Sequence, residues 1–389
     1  MLAGEKWIIF FGEDWGRHHS TGQYLAKELA KDYKILWVNS LGMRAPQLNF
    51  GDAKRVVSKL KESIFGGKAI KKERQDETHD NIYVITPITI PLFKYRVVRW
   101  INRQILKRLF RKAYQNYKIT DPYIITACPS TMVVLDALPA KVKAYYCADE
   151  YASIAGMDTP LVQRLEDKLL KQVDIVMVTA RALEKQICSK HEHIYYLPHG
   201  VDYQHFCKAV YTPQKIPLEM KSFIKPIVGF IGLIGEHIDL DLLSYAAEQL
   251  PEYSFVMIGP VEVGVEVPQA SNIHYLGAKP FEKLPQYIAH FDLSILPYAD
   301  TRRNQFANPT KVREYLAAGS PVVCTNQQEV KNIESAVFIA TTADEFVNEI
   351  KRIATSDGLL SRQEISDTMK SQTWPARSAE IISYLKANE

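Results

Sequence analysis

The feature that most constrains this chain is a rhythm. Short apolar runs end at glycine or proline, and a helix-length segment follows most of them. Trp7–Phe11 runs into Gly12, Ile82–Ile85 stops before Pro87, and Ile194–Leu197 meets Pro198. The pattern then restarts: Ile227–Gly232, Phe255–Ile258 into Gly259, Ile273–Leu276 into Gly277, and Leu293–Leu296 into Pro297. Apolar runs this short and unbroken read as strands buried on both faces. Strands alternating with helices specify parallel sheets covered on both sides. A polar stretch at 203–225 separates the two series. A single core stops growing near ~250–300 residues, so the 389 residues are read as α/β, with two facing Rossmann-like domains. The expected division is 1–204 plus a returning C-terminal helix at 375–389, and 205–374. Helices are expected over 94–118, 281–290, 310–318 and 343–355, and residues 40–80 read as helix plus loop.

Charge divides the chain at the same place. Residues 1–206 carry 31 Lys/Arg against 22 Asp/Glu, and residues 207–389 carry 17 against 22. A basic half and an acidic half imply two domains with different partners. The five cysteines include no C-x-x-C pair, which points to a reducing compartment without a disulfide framework or zinc site. No stretch reaches the ~18–20 apolar residues that span a bilayer. The expected location is cytoplasmic, peripheral on the inner face of the plasma membrane.

A dinucleotide site wants G-x-G-x-x-G at the first strand-to-helix turn. The first turn here is Gly12-Glu13-Asp14-Trp15-Gly16, with two acids where a pyrophosphate needs bare amides. The second series has Gly229, Gly232 and Gly235 at a different spacing, and backbone near Gly232 remains open to a phosphate. Walker A is absent, so NAD chemistry is disfavoured.

The most informative segment is 296–326. A strand ends at Pro297-Tyr298, and a polar loop holds Arg302, Arg303 and Asn304. Asn308-Pro309-Thr310-Lys311 then opens a helix carrying Glu314. A helix N-terminus with adjacent cations favours a diphosphate, and Glu314 lies one turn further in, where a carboxylate bridges two ribose hydroxyls. The alternative is an ordinary solvated loop and helix face.

Asn308 to Val323, NPTKVREYLAAGSPVV, resembles the donor-site signature of GT-B glycosyltransferases, close to family 4 and to bacterial exopolysaccharide and teichuronic-acid transferases. Leu197 to Phe206 resembles that family's hinge segment, and Gly277 to Ile288 the turn that contacts the nucleotide base. Trp374-Pro-Ala-Arg-Ser resembles the segment that crosses back to the N-terminal domain. The resemblance implies a transferase that moves a hexose from a nucleotide-diphosphate donor, most simply a UDP-sugar, to a lipid-linked saccharide in surface polysaccharide assembly. It implies donor contacts at Gly232, His237, Lys279, Tyr298, Arg302, Arg303, Asn308, Lys311 and Glu314. Two departures stand out. Family 4 enzymes often carry a glutamate eight positions before the one that Glu314 resembles, and Phe306 is there instead. The turn after the first C-domain strand, 235–239, offers only His237 where Arg and Lys are common.

An acceptor base belongs in the N-terminal domain. Asp149 follows the strand Ala144–Cys147, at the end where an open α/β sheet places its ligands. It resembles the aspartate base of transferases with xanthan-type glucuronosyl activity, and a helix-capping acid is its alternative. His18 and His19 are further catalytic candidates in the first loop, with Glu13 and Trp15 as acceptor contacts. No metal or other cofactor is expected.

The segment 94–118 holds nine Lys/Arg and no acid. Val97, Trp100, Ile101, Ile105 and Leu109 fall near one helical face. A basic amphipathic helix with Trp reads as a dock for an anionic membrane, formed by Arg103, Lys107, Arg108 and Arg111 together with 52–74. No nucleic-acid fold signature is present, so no nucleic-acid partner is expected. Two other readings survive: a UDP-sugar epimerase of the same superfold, and a non-catalytic scaffold.

Overall fold

The computed structural model describes residues 5–16, 20–42, 70–75, 79–153, 157–333, 336–355 and 360–389. The chain divides into two units, Met1–Pro198 with Arg377–Glu389, and His199–Ala376. Residues 199–206 belong to the second unit because Val201 pairs with Thr373 and Val201, Tyr203 and Phe206 are buried in that unit's core.

The first unit is built on an eight-stranded sheet: β1 (Trp7–Phe11), β2 (Lys34–Val38), β3 (Ile70–Gln75), β4 (Ile82–Pro87), β5 (Tyr123–Thr126), β6 (Val142–Cys147), β7 (Ile175–Val178) and β8 (Ile194–Tyr196). Their order is β3-β4-β2-β1-β5-β6-β7-β8. Every pairing is parallel except that of β3 with β4. β1 is buried at all five positions, as a central parallel strand must be. β3 corrects the part of the helix plus loop expected over 40–80 that it occupies, while 43–69 and 76–78 lie outside the described residues. Its sequence IKKERQ suits an edge, where one side of the ladder stays unpaired and charge deters a further strand.

The second unit has a six-stranded parallel sheet: β9 (Ile227–Ile231), β10 (Ser254–Ile258), β11 (Ile273–Gly277), β12 (Leu293–Leu296), β13 (Val322–Thr325) and β14 (Val337–Ala340), in the order β11-β10-β9-β12-β13-β14. The chain winds outward from β9 through β10 to β11, then returns to pair β12 with β9. The reversal opens a crevice at the carboxyl ends of β9 and β12, where open α/β sheets bind ligands. In the first unit the same reversal falls between β1 and β5.

Three helical expectations are corrected. Arg302–Gln305 is a short helix, not a loop, because Thr301 caps it through a 3.3 Å bond from the Asn304 amide. The helix expected over 281–290 is a 3-10 turn, Phe281–Lys283, followed by Leu284–Ile288, with Pro285 opening the α segment. Two 3-10 helices, Pro129–Val133 and Leu135–Ala137, follow β5 where no helix is expected.

The basic helix is Arg96–Asn116. Its buried face is Asn102, Leu106, Leu109, Phe110 and Ala113, so the single expected stripe splits. Leu109 packs inward. Val97 and Trp100 lie on the solvent side at 69% and 62% exposure, beside exposed Tyr95 and Leu92.

Candidate active site

The crevice in the second unit is made by two loops that are hydrogen-bonded to each other. The loop after β9 runs Gly232 to Asp239, and the loop after β12 begins at Pro297. Asp239 N–H donates to the Pro297 carbonyl at 2.7 Å and Ala299 N–H to the His237 carbonyl at 3.0 Å. Ile238 and Tyr298 form an antiparallel bridge. A third loop, after β10, approaches closely: a Cβ on Gly259 would overlap the carbonyl oxygen of Gly232, and its φ of +147° also calls for glycine. Glu262 on that loop stands over Gly235.

Charged groups converge on this platform. The His237 ring meets the Tyr298 ring edge-on, 5.6 Å between centroids. Burial holds the His237 imidazole below its ordinary range, the nearby Arg303 guanidinium lowers it further, and Glu262 opposes them. Burial pushes the Tyr298 hydroxyl up to about 12, with Glu314 raising it and Arg303 lowering it. Arg302 lies over the Phe306 ring at 5.2 Å, so the aromatic ring at the departing position carries a guanidinium.

The helix that follows spans Thr310–Ala317, and no side chain caps its N-terminal end, where Pro309 stands. Lys311 Nζ lies 2.9 Å from Glu314 Oε2. Gly319, at φ +72°, closes the helix with its N–H on the Leu316 carbonyl, the usual left-handed glycine stop. Asn308 is 5% exposed and accepts from the buried Arg313 guanidinium at 2.5 Å. It therefore anchors the helix entry. Lys279 sits apart from the cations, paired with Glu219 at 2.6 Å. Glu219 also accepts from the Tyr287 hydroxyl at 2.8 Å. The structure thus gathers His237, Tyr298, Arg302, Arg303, Lys311 and Glu314 around the end of the sheet reversal, with Gly232 beside them.

In the first unit, Glu13 follows β1 at the other reversal. Its Oε1 accepts from the Ser20 hydroxyl and, at 3.1 Å, from Gln23 Nε2. Ser20 caps the helix Thr21–Leu29. A carboxylate thus stands where a Rossmann turn would hold a phosphate. Gln23, 6% exposed, also accepts from the Gly16 amide at 3.2 Å. Trp15 is corrected from an acceptor contact to an anchor: it is 8% exposed, packs edge-on against Trp37, and its backbone N–H donates to Asn39 Oδ1 at 3.0 Å. Asp149 is exposed after β6. Tyr146 and Tyr151 are raised first by burial, and both Asp149 and Glu13 push them further. The two carboxylates therefore act on one cluster. His18 and His19 lie outside the described residues, as does much of 52–74.

Arg103 leaves the proposed basic patch. It makes a two-point bond to Asp136, at 2.5 and 2.8 Å. Arg108 and Arg111 are exposed and Lys107 is half-buried. The sequence reading assigns no role of their own to Asn304, Glu262, Gln23 and Tyr315, whose partners include His237, Gly16 and Ile231.

Residues 225–356 match the family described as Glycosyl transferases group 1. That match falls within the second unit, over β9 to β14. A Bacillus subtilis (strain 168) protein named as a teichuronic acid biosynthesis glycosyltransferase, TuaH, is 25% identical over 262 residues, which span 62% of this chain and 66% of that protein. Sucrose-phosphate synthase from Thermosynechococcus elongatus has a similar fold, with a TM-score of 0.68 at 14% identity over 98% of this chain and 99% of that one. The Anabaena HepE structure in complex with UDP and glucose has a TM-score of 0.64 at 15% identity, with the same two coverages. The two parallel sheets are those of the GT-B fold, and glycosyl transfer is the activity class of the group 1 domain.

Proposed function

We propose that this chain transfers a sugar from a UDP-sugar to a lipid-linked saccharide acceptor at an anionic membrane surface, in the assembly of a cell-surface polysaccharide. The observation that carries the donor half is the gathering of Arg302, Arg303, Lys311 and His237 around the uncapped Thr310–Ala317 helix. A diphosphate there meets oriented amides and cations, which also stabilise the charge on the leaving group. Glu314 would take the ribose hydroxyls once Lys311 turns to phosphate. HepE binds UDP and glucose, which supports a uridine donor.

The acceptor is assigned to the first unit. Glu13 and Asp149 are its two candidate bases, and a positioned carboxylate removes the acceptor hydroxyl proton as the new glycosidic bond forms. Cations alone suffice to hold the diphosphate in this reading, and no metal is assigned. The membrane half rests on Val97 and Trp100, exposed on the same acid-free helix as Arg108 and Arg111, with Leu92 and Tyr95 exposed just before it. Among the described residues, no helix is long and apolar enough to cross a membrane. The chain would act as a peripheral protein on the cytoplasmic face. The TuaH name supports the polysaccharide setting.

The deciding experiment is a calorimetric and thermal-shift screen of nucleotide sugars, followed by turnover on lipid-linked saccharides. A UDP-sugar raises the melting temperature, because it binds only the folded state, and UDP is released only when acceptor is added. Release of UDP with no acceptor would favour the epimerase reading. Donor binding without turnover on any acceptor would favour the scaffold.

A further inference from the structure

Asn304 is 4% exposed while Arg302, Arg303 and Gln305 around it are exposed. Its side chain turns away from solvent into the platform. Nδ2 donates to the His237 carbonyl at 2.9 Å and to the Ala299 carbonyl at 2.8 Å. A side-chain amide nitrogen has two hydrogens, and both are used on carbonyls, so the amide has one orientation.

Neither carbonyl depends on Asn304 for a donor. The His237 carbonyl also accepts from Ala299 N–H at 3.0 Å, and the Ala299 carbonyl from Thr301 N–H at 2.9 Å. The amide is therefore more than a partner for an orphaned acceptor. It ties the loop after β9 to the short arginine helix after β12, joining residues 67 apart in sequence.

What that tie holds is a charge arrangement. Burial holds the His237 imidazole below its ordinary range and Arg303 adds to that, while Glu262 from the loop after β10 and a bond to the Leu233 backbone oppose them, and the Tyr298 ring meets the imidazole edge-on. Arg302 is carried on the same short helix over Phe306. Four helical residues have little intrinsic persistence, so the placement of the arginine helix rests on its Thr301 cap, on the backbone bonds between the two loops and on the side-chain tie at Asn304.

We propose that Asn304 is a positioning residue for the donor diphosphate, locking the His237 loop to the arginine helix so that Arg303 and His237 are presented at a fixed separation. The proposal rests on the donor reading above. Its energetic content is preorganisation: ordering that would otherwise be lost on binding is already built into the free protein.

The test uses the full chain with UDP as the probe, comparing wild type with Asn304→Ala, Asn304→Ser and Lys311→Ala by calorimetry. Asn304→Ala should weaken UDP about tenfold, the scale of one hydrogen bond's net contribution. Asn304→Ser, which keeps one donor, should fall between, and it carries the test if the alanine variant does not fold. Melting temperatures should move by no more than about 3 °C. A second readout separates positioning from mere support. The His237 imidazole, followed by NMR, should titrate closer to its ordinary range in Asn304→Ala, because Arg303 no longer stands beside it. Unchanged UDP affinity or an unmoved titration overturns the role of Asn304. If Lys311→Ala weakens UDP in that same experiment, the donor site stands and only the positioning role falls. If Lys311→Ala also leaves UDP unchanged, the donor reading falls and this proposal with it.

Discussion

Lys311 and Glu314 are bonded to each other, Nζ to Oε2 at 2.9 Å, one turn apart on the helix Thr310–Ala317. Each neutralises the other while both stay partly exposed. A diphosphate would displace the carboxylate from Lys311 and leave Glu314 for hydroxyl groups.

Lys311→Ala should therefore weaken UDP by about ten- to a hundredfold, the range of a charge-assisted bond. Glu314→Gln should weaken nucleosides and nucleotides alike. Calorimetry with UDP and uridine reads both. Equal UDP affinity in wild type and Lys311→Ala would remove the cation from the site.

The two acidic candidates of the first unit separate by kinetics. Replacing the base with its amide should lower kcat by about 10²–10⁴ with little change in donor KM. Asp149→Asn should leave stability nearly unchanged, since Asp149 is exposed. Glu13→Gln should also loosen the turn that Ser20 and Gln23 hold, lowering the melting temperature. If neither substitution slows turnover, the base lies elsewhere.

Membrane docking should depend on Trp100, Val97, Arg108 and Arg111. Trp100→Ala and Arg108→Glu should each reduce sedimentation with vesicles rich in anionic lipid, and added salt should weaken binding. Arg103→Ala should leave vesicle binding nearly intact and instead cost stability through Asp136. Identical sedimentation of wild type and Trp100→Ala would end the docking proposal.

Tyr315 ties the helix Thr310–Ala317 to the end of β9. Its hydroxyl is fully buried, accepting from Ile231 N–H at 2.7 Å and donating to the Ile231 carbonyl at 3.2 Å. Tyr315→Phe leaves that N–H unsatisfied at the last residue of β9. It should cost about 1–3 kcal/mol in denaturant unfolding. A change under ~0.5 kcal/mol would show that water replaces the hydroxyl.

Among the described residues, burial lowers the pKa of three histidines, His205, His237 and His274, and so makes stability depend on pH. His205 stacks on Phe281 at 4.2 Å and bonds its carbonyl at 2.9 Å, and burial lowers its pKa from the ordinary 6.5. His237 is lowered as well. Below about pH 6.5 the unfolded chain takes up these protons while the folded one resists them. Stability is therefore fully present above 6.5 and declines as pH falls through that value toward the folded pKa. Urea unfolding between pH 7.5 and 5.5 should show the decline, and a His205→Gln variant should show less of it. Equal slopes in the two proteins would exclude His205 as a source.

Much of the fold is legible in the sequence because continuous apolar runs have one physical outlet. β1, β9, β10 and β12 appear within a residue of where the runs predict them, since a strand buried on both faces needs no partner pattern to be recognised. β3 is illegible for the opposite reason: an edge strand is polar, and only its pairing with β4 makes it a strand. In the same way, the cations of 302–311 are visible from residue type and spacing, while the Arg302–Gln305 helix depends on Thr301 and on the Asn304 tie.

By itself, then, the sequence determines local matters: two βα series, the helix opening at Thr310, the basic helix and its excess of charge. Tertiary structure decides which of those residues are available. Asp136 claims Arg103, Arg313 claims Asn308, Trp37 buries Trp15, and Glu219 claims Lys279. The partners lie between 5 and 60 residues away in sequence, mostly on other elements. Periodicity counts a side chain's position on its own element; which group meets it is fixed only when the sheets bring distant loops to the same end.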